Sequence, residues 1–284
     1  MSHTIGSILQ ISEDWLAQRN VDSPKVDAGF LLAHALGLPR LQLYLQTERP
    51  LSEDELAVFR PLLQRRGKRE PVSKIVGLKG FWNHDFEVTQ AVLSPRSDSE
   101  ILIETALALE LGDDANVIDL CTGSACLAVS LAAEKPTWHL VATDCSAEAL
   151  EVAARNLKRC DVEERIELLC GDLFAGAEGC FDLIISNPPY IAEFERESLD
   201  PEVLLHDPAI ALFSGADGLD LMRRVVKEAP PRLKERGWLL LEHGCDQAPA
   251  VAELMGAHGF VDVVCKRDLA GRERATLGRL PSVD

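Results

Sequence analysis

The sequence predicts an α/β protein, a doubly wound, mostly parallel sheet with a small N-terminal helical bundle joined to it by a β-hairpin. Three observations carry this. From about residue 115, short apolar runs alternate with helical segments, the pattern of a chain that winds a parallel sheet. Over residues 1–70 the apolar residues recur at helical spacing instead. Between the two, residues 71–93 are rich in β-branched and aromatic residues around a turn signal, Asn83-His84-Asp85.

In the first part the helical spacing runs through Ile5, Ile8, Leu9 and Trp15-Leu16, then Phe30–Leu32 and Leu36, then Leu56, Phe59, Leu62 and Leu63. Ser23-Pro24, Gly37–Pro39 and Pro50 break these runs, and Ser52 with Glu55 has the spacing of a capping box. Four to five helices result. They carry no catalytic constellation, so substrate recognition is the expected role of residues 1–70. Residues 71–93 are the hairpin linker, and residues 94–284 the catalytic domain. That domain opens on "PRSDSEILIETALALE", a helix that Ser97 and Glu100 are spaced to cap. "NVIDLCTG" is then a strand entering a small-residue turn, "SACLAVSLAAEK" a helix, "HLVATD" a strand, "SAEALEVAARNLKRC" a helix, and "RIELLCGD" and "FDLIISN" strands. A helix near Gly218–Pro230, the strand "GWLLLEHG", the helix "APAVAELMGAHG" and a terminal strand "FVDVVCKRD" complete it.

Composition narrows the function. A chain of 284 residues suffices for one large domain or a medium domain plus a small one. It has no apolar run of roughly 18 residues, so no membrane-spanning helix is expected. "MSHTIGSILQ" lacks a basic stretch followed by an apolar one, so no signal peptide and a cytoplasmic location are expected. The net charge of −17 arises in residues 93–284, which hold 18 Lys+Arg against 35 Asp+Glu; residues 1–92 hold 11 of each. So acidic a part disfavours phosphate backbones, and no direct nucleic-acid partner is expected. The basic run Arg65, Arg66, Lys68, Arg69 reads as a solvated helix end in preference to a docking patch. The eight cysteines (121, 126, 145, 160, 170, 180, 245, 265) form no C-x-x-C and no zinc spacing with histidine, so small buried thiols and no metal are expected. A monomer is expected.

Three acids stand at strand ends: Asp119, Asp144 and Asp172. After the first comes Cys121-Thr122-Gly123-Ser124-Ala125, where small residues let a ligand approach the backbone ahead of a helix N-terminus. An acid about 20 residues past such a turn, here Asp144, is placed for ribose hydroxyls. Asp172 is placed to accept from an adenine amino group. The turn is not G-x-G-x-x-G and has no phosphate-loop lysine. A ligand with adenine and ribose but no phosphate fits better, and S-adenosylmethionine is one whose sulfonium suits an acidic domain.

"SNPPYI" (186–191) follows the apolar run 181–185. Two prolines stiffen it, and Asn187 before Pro188 is driven to extended backbone. Such a segment holds polar groups rigidly. An NH₂ group offers two hydrogens; the Asn187 side-chain carbonyl can accept one and the Pro188 backbone carbonyl the other. That aims the nitrogen at a methyl donor and stabilises the charge that grows on it. Tyr190 can pack against a flat substrate face.

At these residues the chain resembles the HemK/PrmC family, the peptide-chain release factor glutamine N5-methyltransferases. The likeness covers nearly the whole length: "REPVSKIVG" (69–77), "FWNHDFEV" (81–88), "LSPRSDSE" (93–100), "VIDLCTGSACLA" (117–128), "ATDCSAEALEVAARN" (142–156), "FDLIISNPPYI" (181–191), "DPAIALFSGADGLD" (207–220) and "RDLAGRERA" (267–275). It implies a class I S-adenosylmethionine-dependent methyltransferase domain, a helical domain that recognises the release factor, and a Gly-Gly-Gln glutamine as substrate, with S-adenosylhomocysteine as by-product. It implies donor contacts at residues 121–125, Asp144, Leu173 and Asn187, and substrate contacts at Asn187, Pro188, Pro189 and Tyr190. The family's usual Gly-Thr-Gly-Ser-Gly is here Cys-Thr-Gly-Ser-Ala. Three alternatives are a ribosomal-protein glutamine methyltransferase, an amino-methyltransferase of tRNA, rRNA or DNA, and an inactive adaptor that binds release factors.

Overall fold

The structure, a computed structural model, describes residues 3–282. It divides into two compact units. One holds the chain up to Gly77 together with Asp200–His206; the other holds Leu78–Leu199 and the chain from Asp207 on.

The first unit is helical. Helices α1 (Ile5–Ala17), α2 (Pro24–Leu36), α3 (Arg40–Leu45), α4 (Glu53–Gly67) and α5 (Val72–Val76) supply the residues of one core, among them Ile5, Leu31, Leu32, Leu43, Leu56, Phe59 and Ile75. Burying side chains of this size contributes about 1.5–3 kcal/mol each. The expected capping box opens α4: Glu55 N–H donates to Ser52 Oγ at 3.2 Å and Ser52 N–H to Glu55 Oε2 at 2.8 Å. Residues 72–76 depart from the expected hairpin. Pro71 precedes the first turn and Gly77 ends it at φ 78°, the punctuation of a short helix.

The second unit begins with the hairpin β1 (Leu78–Phe81) and β2 (His84–Glu87), closed by Trp82-Asn83. Helix α6 (Glu100–Ala108) follows a 3-10 turn, and the expected Ser97–Glu100 capping box is absent. Glu100 Oε1 accepts from the Trp82 N–H of the hairpin loop at 3.1 Å instead, so a tertiary partner displaces the local one. Next come β3 (Asn116–Leu120), α7 (Cys126–Glu134), β4 (His139–Asp144), α8 (Ala147–Arg159), β5 (Ile166–Cys170) and β6 (Phe181–Ser186). The chain then joins the first unit as α9 (Pro201–His206) and returns as α10 (Asp220–Glu228), β7 (Leu233–Glu242), α11 (Ala248–Ala257), β8 (Val261–Arg267) and β9 (Glu273–Arg279).

The sheet order is β5-β4-β3-β6-β7-β9-β8. The first five strands are parallel, and β9 runs antiparallel to both its neighbours. This is the doubly wound class that the alternation of elements predicts. Strand β9 was not anticipated. Asp268 Oδ1 accepts from the N–H groups of Ala270 and Arg272 at 2.9 and 3.0 Å, which folds the chain back and lays β9 between β7 and β8. Side chains alternate between two cores, as strand periodicity requires. Val117, Leu183, Ile185 and Leu240 join one with α6 and α7; Ile118, Leu120, Ile184, Leu239 and Leu241 join the other with α10 and α11.

The basic run is neither a solvated helix end nor a docking patch. Arg66 is buried and pairs with Asp27 at 2.6 Å and Glu202 of α9 at 2.7 Å. Arg69 pairs with Asp200 at 3.1 Å and Glu202 at 3.2 Å, and Arg65 with Glu70 at 2.5 Å. Nor are the thiols all buried: Cys145, Cys170, Cys180 and Cys245 are exposed, and all eight are free.

Candidate active site

Strand register assembles the site. Leu120 pairs with Thr143 on one side and Ser186 on the other, and Ser186 pairs in turn with Leu241. Cys121, Asp144, Asn187 and Glu242 therefore leave four adjacent strands at one level. This is the switch point, where β3 has neighbours reached by opposite crossovers, and such sheets bind ligands there.

The turn after β3 is held in a sparsely populated conformation. Cys121, Gly123 and Ala125 all have positive φ, 58°, 54° and 62°. Only glycine adopts this freely; another residue pays about 1–2 kcal/mol. Two of the three are not glycine, and both are small. A Cβ on Gly123 would meet nothing within 4 Å. Asp144 fixes the turn from the next strand: Oδ2 accepts from Gly123 N–H and Oδ1 from Ser146 N–H, both at 2.9 Å. Asn156 of α8 fixes it from behind. Its amide donates to the Ser124 carbonyl at 2.9 Å and the Glu87 carbonyl at 3.0 Å, and its oxygen accepts from Glu87 N–H at 2.6 Å.

Asp119 lies beneath this turn, fully buried, and Thr122 Oγ1 donates to it at 2.6 Å. Burial raises its pKa to about 7. Burial and the carboxylates of Asp144 and Asp119 push the Cys121 thiol well above its usual range, and burial with Asp119 raises Cys126 to about 12. Neither is a ready nucleophile.

The Asn-Pro-Pro-Tyr segment is pinned at each residue that can be pinned. Ser186 Oγ donates to the Leu120 carbonyl at 2.6 Å, Asn187 Nδ2 to Ser99 Oγ at 3.0 Å, and Tyr190 Oη to Glu242 Oε1 at 3.3 Å. Gln247 Nε2 donates to the Tyr190 carbonyl at 2.9 Å. Among the described residues no donor reaches Asn187 Oδ1 or the Pro188 carbonyl, so two acceptors are left for a ligand. Burial, then the Glu242 carboxylate, push the Tyr190 phenol far above its usual pKa, so it is a neutral donor here.

A cavity of about 370 Å³ opens over these strand ends. Of the residues expected to bind donor or substrate, Cys121, Thr122, Gly123, Ser124, Asp144, Asp172, Leu173, Asn187 and Pro189 line it, whereas Asp119, Ala125, Pro188 and Tyr190 do not. Asp172 is exposed and holds Arg224 at 2.7 Å. The sequence reading missed Val92, Ser99, Cys145, Phe213 and Arg224 on the wall. Ser99, Cys145 and Phe213 lie within motifs that carry the family resemblance, but nothing in their residue types marks them as wall residues; Val92 and Arg224 lie outside those motifs. Arg96 also lines the cavity and pairs with Asp207 at 2.6 Å. Both wall arginines are thus engaged by carboxylates. Among the described residues no group of three or more His, Cys, Asp or Glu could hold a metal ion, and no helix is long and apolar enough to cross a membrane.

A seven-stranded, doubly wound sheet with this turn and an Asn-Pro-Pro-Tyr edge defines a methyltransferase domain. Residues 97–219 match the family model of the methyltransferase small domain, and residues 7–77 that of the PrmC N-terminal domain. The chain is 45% identical to a release factor glutamine methyltransferase of Cereibacter sphaeroides, over 94% of this chain and 95% of that protein. To its namesake in Geobacter sulfurreducens it is 40% identical, over 98% and 97%. A solved methyltransferase from Pyrococcus furiosus shares the fold at a TM-score of 0.55 and 20% identity, covering 78% of this chain and all of that one. The chain belongs to the release factor glutamine methyltransferase family.

Proposed function

We propose that this protein transfers a methyl group from S-adenosylmethionine to the side-chain amide nitrogen of the glutamine in the Gly-Gly-Gln motif of peptide-chain release factors, giving N5-methylglutamine. The observation that carries it is the pair of unfilled acceptors at Asn187 Oδ1 and the Pro188 carbonyl, in a chain whose relatives match along almost its full length.

The cavity suits the donor. Its wall has Leu127, Leu173, Val92 and Ala149 for the faces of an adenine, Asp144 for a ribose diol, and no arginine left unpaired for a phosphate. When bound, S-adenosylmethionine supplies an electrophilic methyl group whose leaving sulfur departs as a neutral thioether. The chain's residues then have to position. Asn187 Oδ1 and the Pro188 carbonyl each take one hydrogen of the substrate NH₂, turning the nitrogen lone pair out of conjugation and toward the cavity. Both acceptors gain strength as positive charge develops on that nitrogen. The rigid Pro188-Pro189 pair pre-orders them, so little entropy is lost on reaction. No strong base is required, because the methylated amide nitrogen loses its proton readily to water. Substrate recognition by the first, helical unit belongs to the same proposal.

The test is incubation of the protein with S-adenosylmethionine and a release factor, followed by peptide mass spectrometry. One added methylene on the Gly-Gly-Gln glutamine is expected. Donor binding without transfer to any release factor overturns the substrate, and transfer to a ribosomal protein or an RNA replaces it.

A further inference from the structure

We propose that Asp207 is a positioning residue that acts through Arg96 and Ser94 to hold one wall of the cavity, and that the methyl donor and its by-product pass where this contact opens. Two stretches outside the sheet contribute to that wall, one with Val92, Pro95 and Arg96, the other with Pro208, Ile210 and Phe213. Residues 93–96 form neither helix nor strand, and Pro95 has no N–H to give a neighbour. Asp207 stands directly ahead of the second stretch, its side chain only 2% exposed. Its Oδ2 accepts from Arg96 Nη2 at 2.6 Å and its Oδ1 from Ser94 N–H at 3.4 Å. One carboxylate thus joins two parts of the wall that lie 111 to 113 residues apart in sequence. The first stretch is also anchored at each end. Val88 and Val92 pack with Ala149 and Val152 of α8, and Ser99 Oγ receives Asn187 Nδ2 at 3.0 Å. Asp207 holds the middle.

The two partners differ in burial, and that difference sets how the contact behaves. A carboxylate as buried as Asp207 is stable only when N–H groups or a cation meet it. It is the fixed end. Arg96 is the movable one, since its side chain is 42% exposed and reaches the cavity. A single charge-assisted hydrogen bond joins them, stronger than a neutral one. Because its outer partner is open to water, it can break and re-form while the cores on either side of the sheet stay packed. Breaking it releases residues 93–96, which no ladder or helix restrains. A donor that exchanges with solvent through this open state enters and leaves at rates that both scale with the open population. Weakening the pair therefore raises both rates and leaves the equilibrium affinity nearly constant while the open state stays rare. Damage elsewhere in the wall would speed exit alone.

This rests on the proposed use of the cavity by S-adenosylmethionine, so the test has one readout with the by-product and one with no ligand. In stopped-flow binding of S-adenosylhomocysteine, Asp207→Asn and Arg96→Ala are each expected to speed association and dissociation by about 10-fold, with the ratio of the two rates nearly unchanged. Asp207→Asn should add little in the Arg96→Ala background. Arg96→Lys should restore the wild-type rates, because one N–H makes the contact and no bidentate fork is lost. In ligand-free protein, hydrogen exchange read by mass spectrometry should quicken over residues 93–99 in both single variants and stay unchanged in α7 and β4. Faster dissociation without faster association, additive effects in the double variant, or unaltered exchange at 93–99 overturns the inference. Should Asp207→Asn fail to fold, Arg96→Ala, which alters a half-exposed side chain, decides alone. Quickened exchange at 93–99 in a protein that binds no S-adenosylhomocysteine overturns the donor and its passage, and leaves the hold of Asp207 on the wall standing.

Discussion

Gly218 approaches Tyr190 so closely that a Cβ built on it would stand 2.2 Å from the Tyr190 carbonyl oxygen. Gln247 Nε2 donates to that same carbonyl at 2.9 Å. The far end of the Asn-Pro-Pro-Tyr segment is therefore clamped by a close backbone approach and one amide. Gly218→Ala must push the segment away, and φ 78° at this position adds strain. A displacement near 1 Å at Asn187 costs about 100-fold in rate. The expected result is a fall in kcat of that order with donor affinity little changed, measured by single-turnover methylation and calorimetry.

The turn at residues 121–125 should tolerate change in one direction only. Ala125 is fully buried at φ 62°. Ala125→Gly loses a buried methyl but relieves left-handed strain, so its net effect on stability stays within about 1 kcal/mol. Ala125→Val adds β-branching at positive φ and overpacks the site, and should cost about 2–4 kcal/mol. Urea unfolding of the two variants checks this; equal midpoints would show that the turn is not conformationally constrained.

Asp144 has two duties, the turn and the ligand. Asp144→Ala frees the N–H groups of Gly123 and Ser146 and removes an acceptor from the cavity wall. Donor affinity should drop by roughly 1–3 kcal/mol. Calorimetry with S-adenosylhomocysteine reads this directly, and unaltered affinity would exclude a donor contact.

Asn156 should prove a stability residue with a functional echo. Asn156→Ala leaves the half-buried Glu87 N–H and C=O and the buried Ser124 C=O without their partner. A loss of about 2–4 kcal/mol in unfolding free energy is expected, together with weaker donor binding, because Ser124 belongs to the turn. Full stability in the variant would mean that water replaces all three bonds.

Asp119 gives a pH signature. Its pKa in the fold, about 7, lies above the ordinary 3.8. The folded state therefore binds this proton more tightly than the unfolded chain does. The resulting stabilisation is complete below pH 3.8 and is lost as pH rises to about 7. Asp119→Asn removes the dependence. Between those limits the wild type should lose more stability on raising pH than the variant does, as followed by urea midpoints at a series of pH values; parallel curves would show that Asp119 does not titrate in this window.

The sheet was legible because strand residues are buried on both faces and alternate cleanly between two cores, as Val117 and Ile118 do. The acids at strand ends were legible for the same reason: polar residues interrupt apolar runs only where the strand stops. What failed was anything decided by a distant partner. Glu100 has local capping spacing but bonds to Trp82. Arg66 looks like part of a surface run and is buried between two carboxylates. Ser99, in the 3-10 turn ahead of α6, receives Asn187 Nδ2 from a residue 88 positions on, and Glu242 meets Tyr190 only because β7 lies beside β6; a linear reading weighs neither pairing.

The pairing of Arg66 and Arg69 with Asp200 and Glu202 has a consequence for how such enzymes can be dissected or recombined. The chain passes between its two units three times, after Gly77, before Asp200 and after His206. No single cut separates them. A catalytic fragment beginning at Leu78 would keep residues 200–206 but strip Glu202 of both its arginines. A chimaera that borrows the helical unit from a relative must import α9 as well. The helical unit is accordingly drawn from two stretches of sequence more than a hundred residues apart, and the two must drift together or not at all.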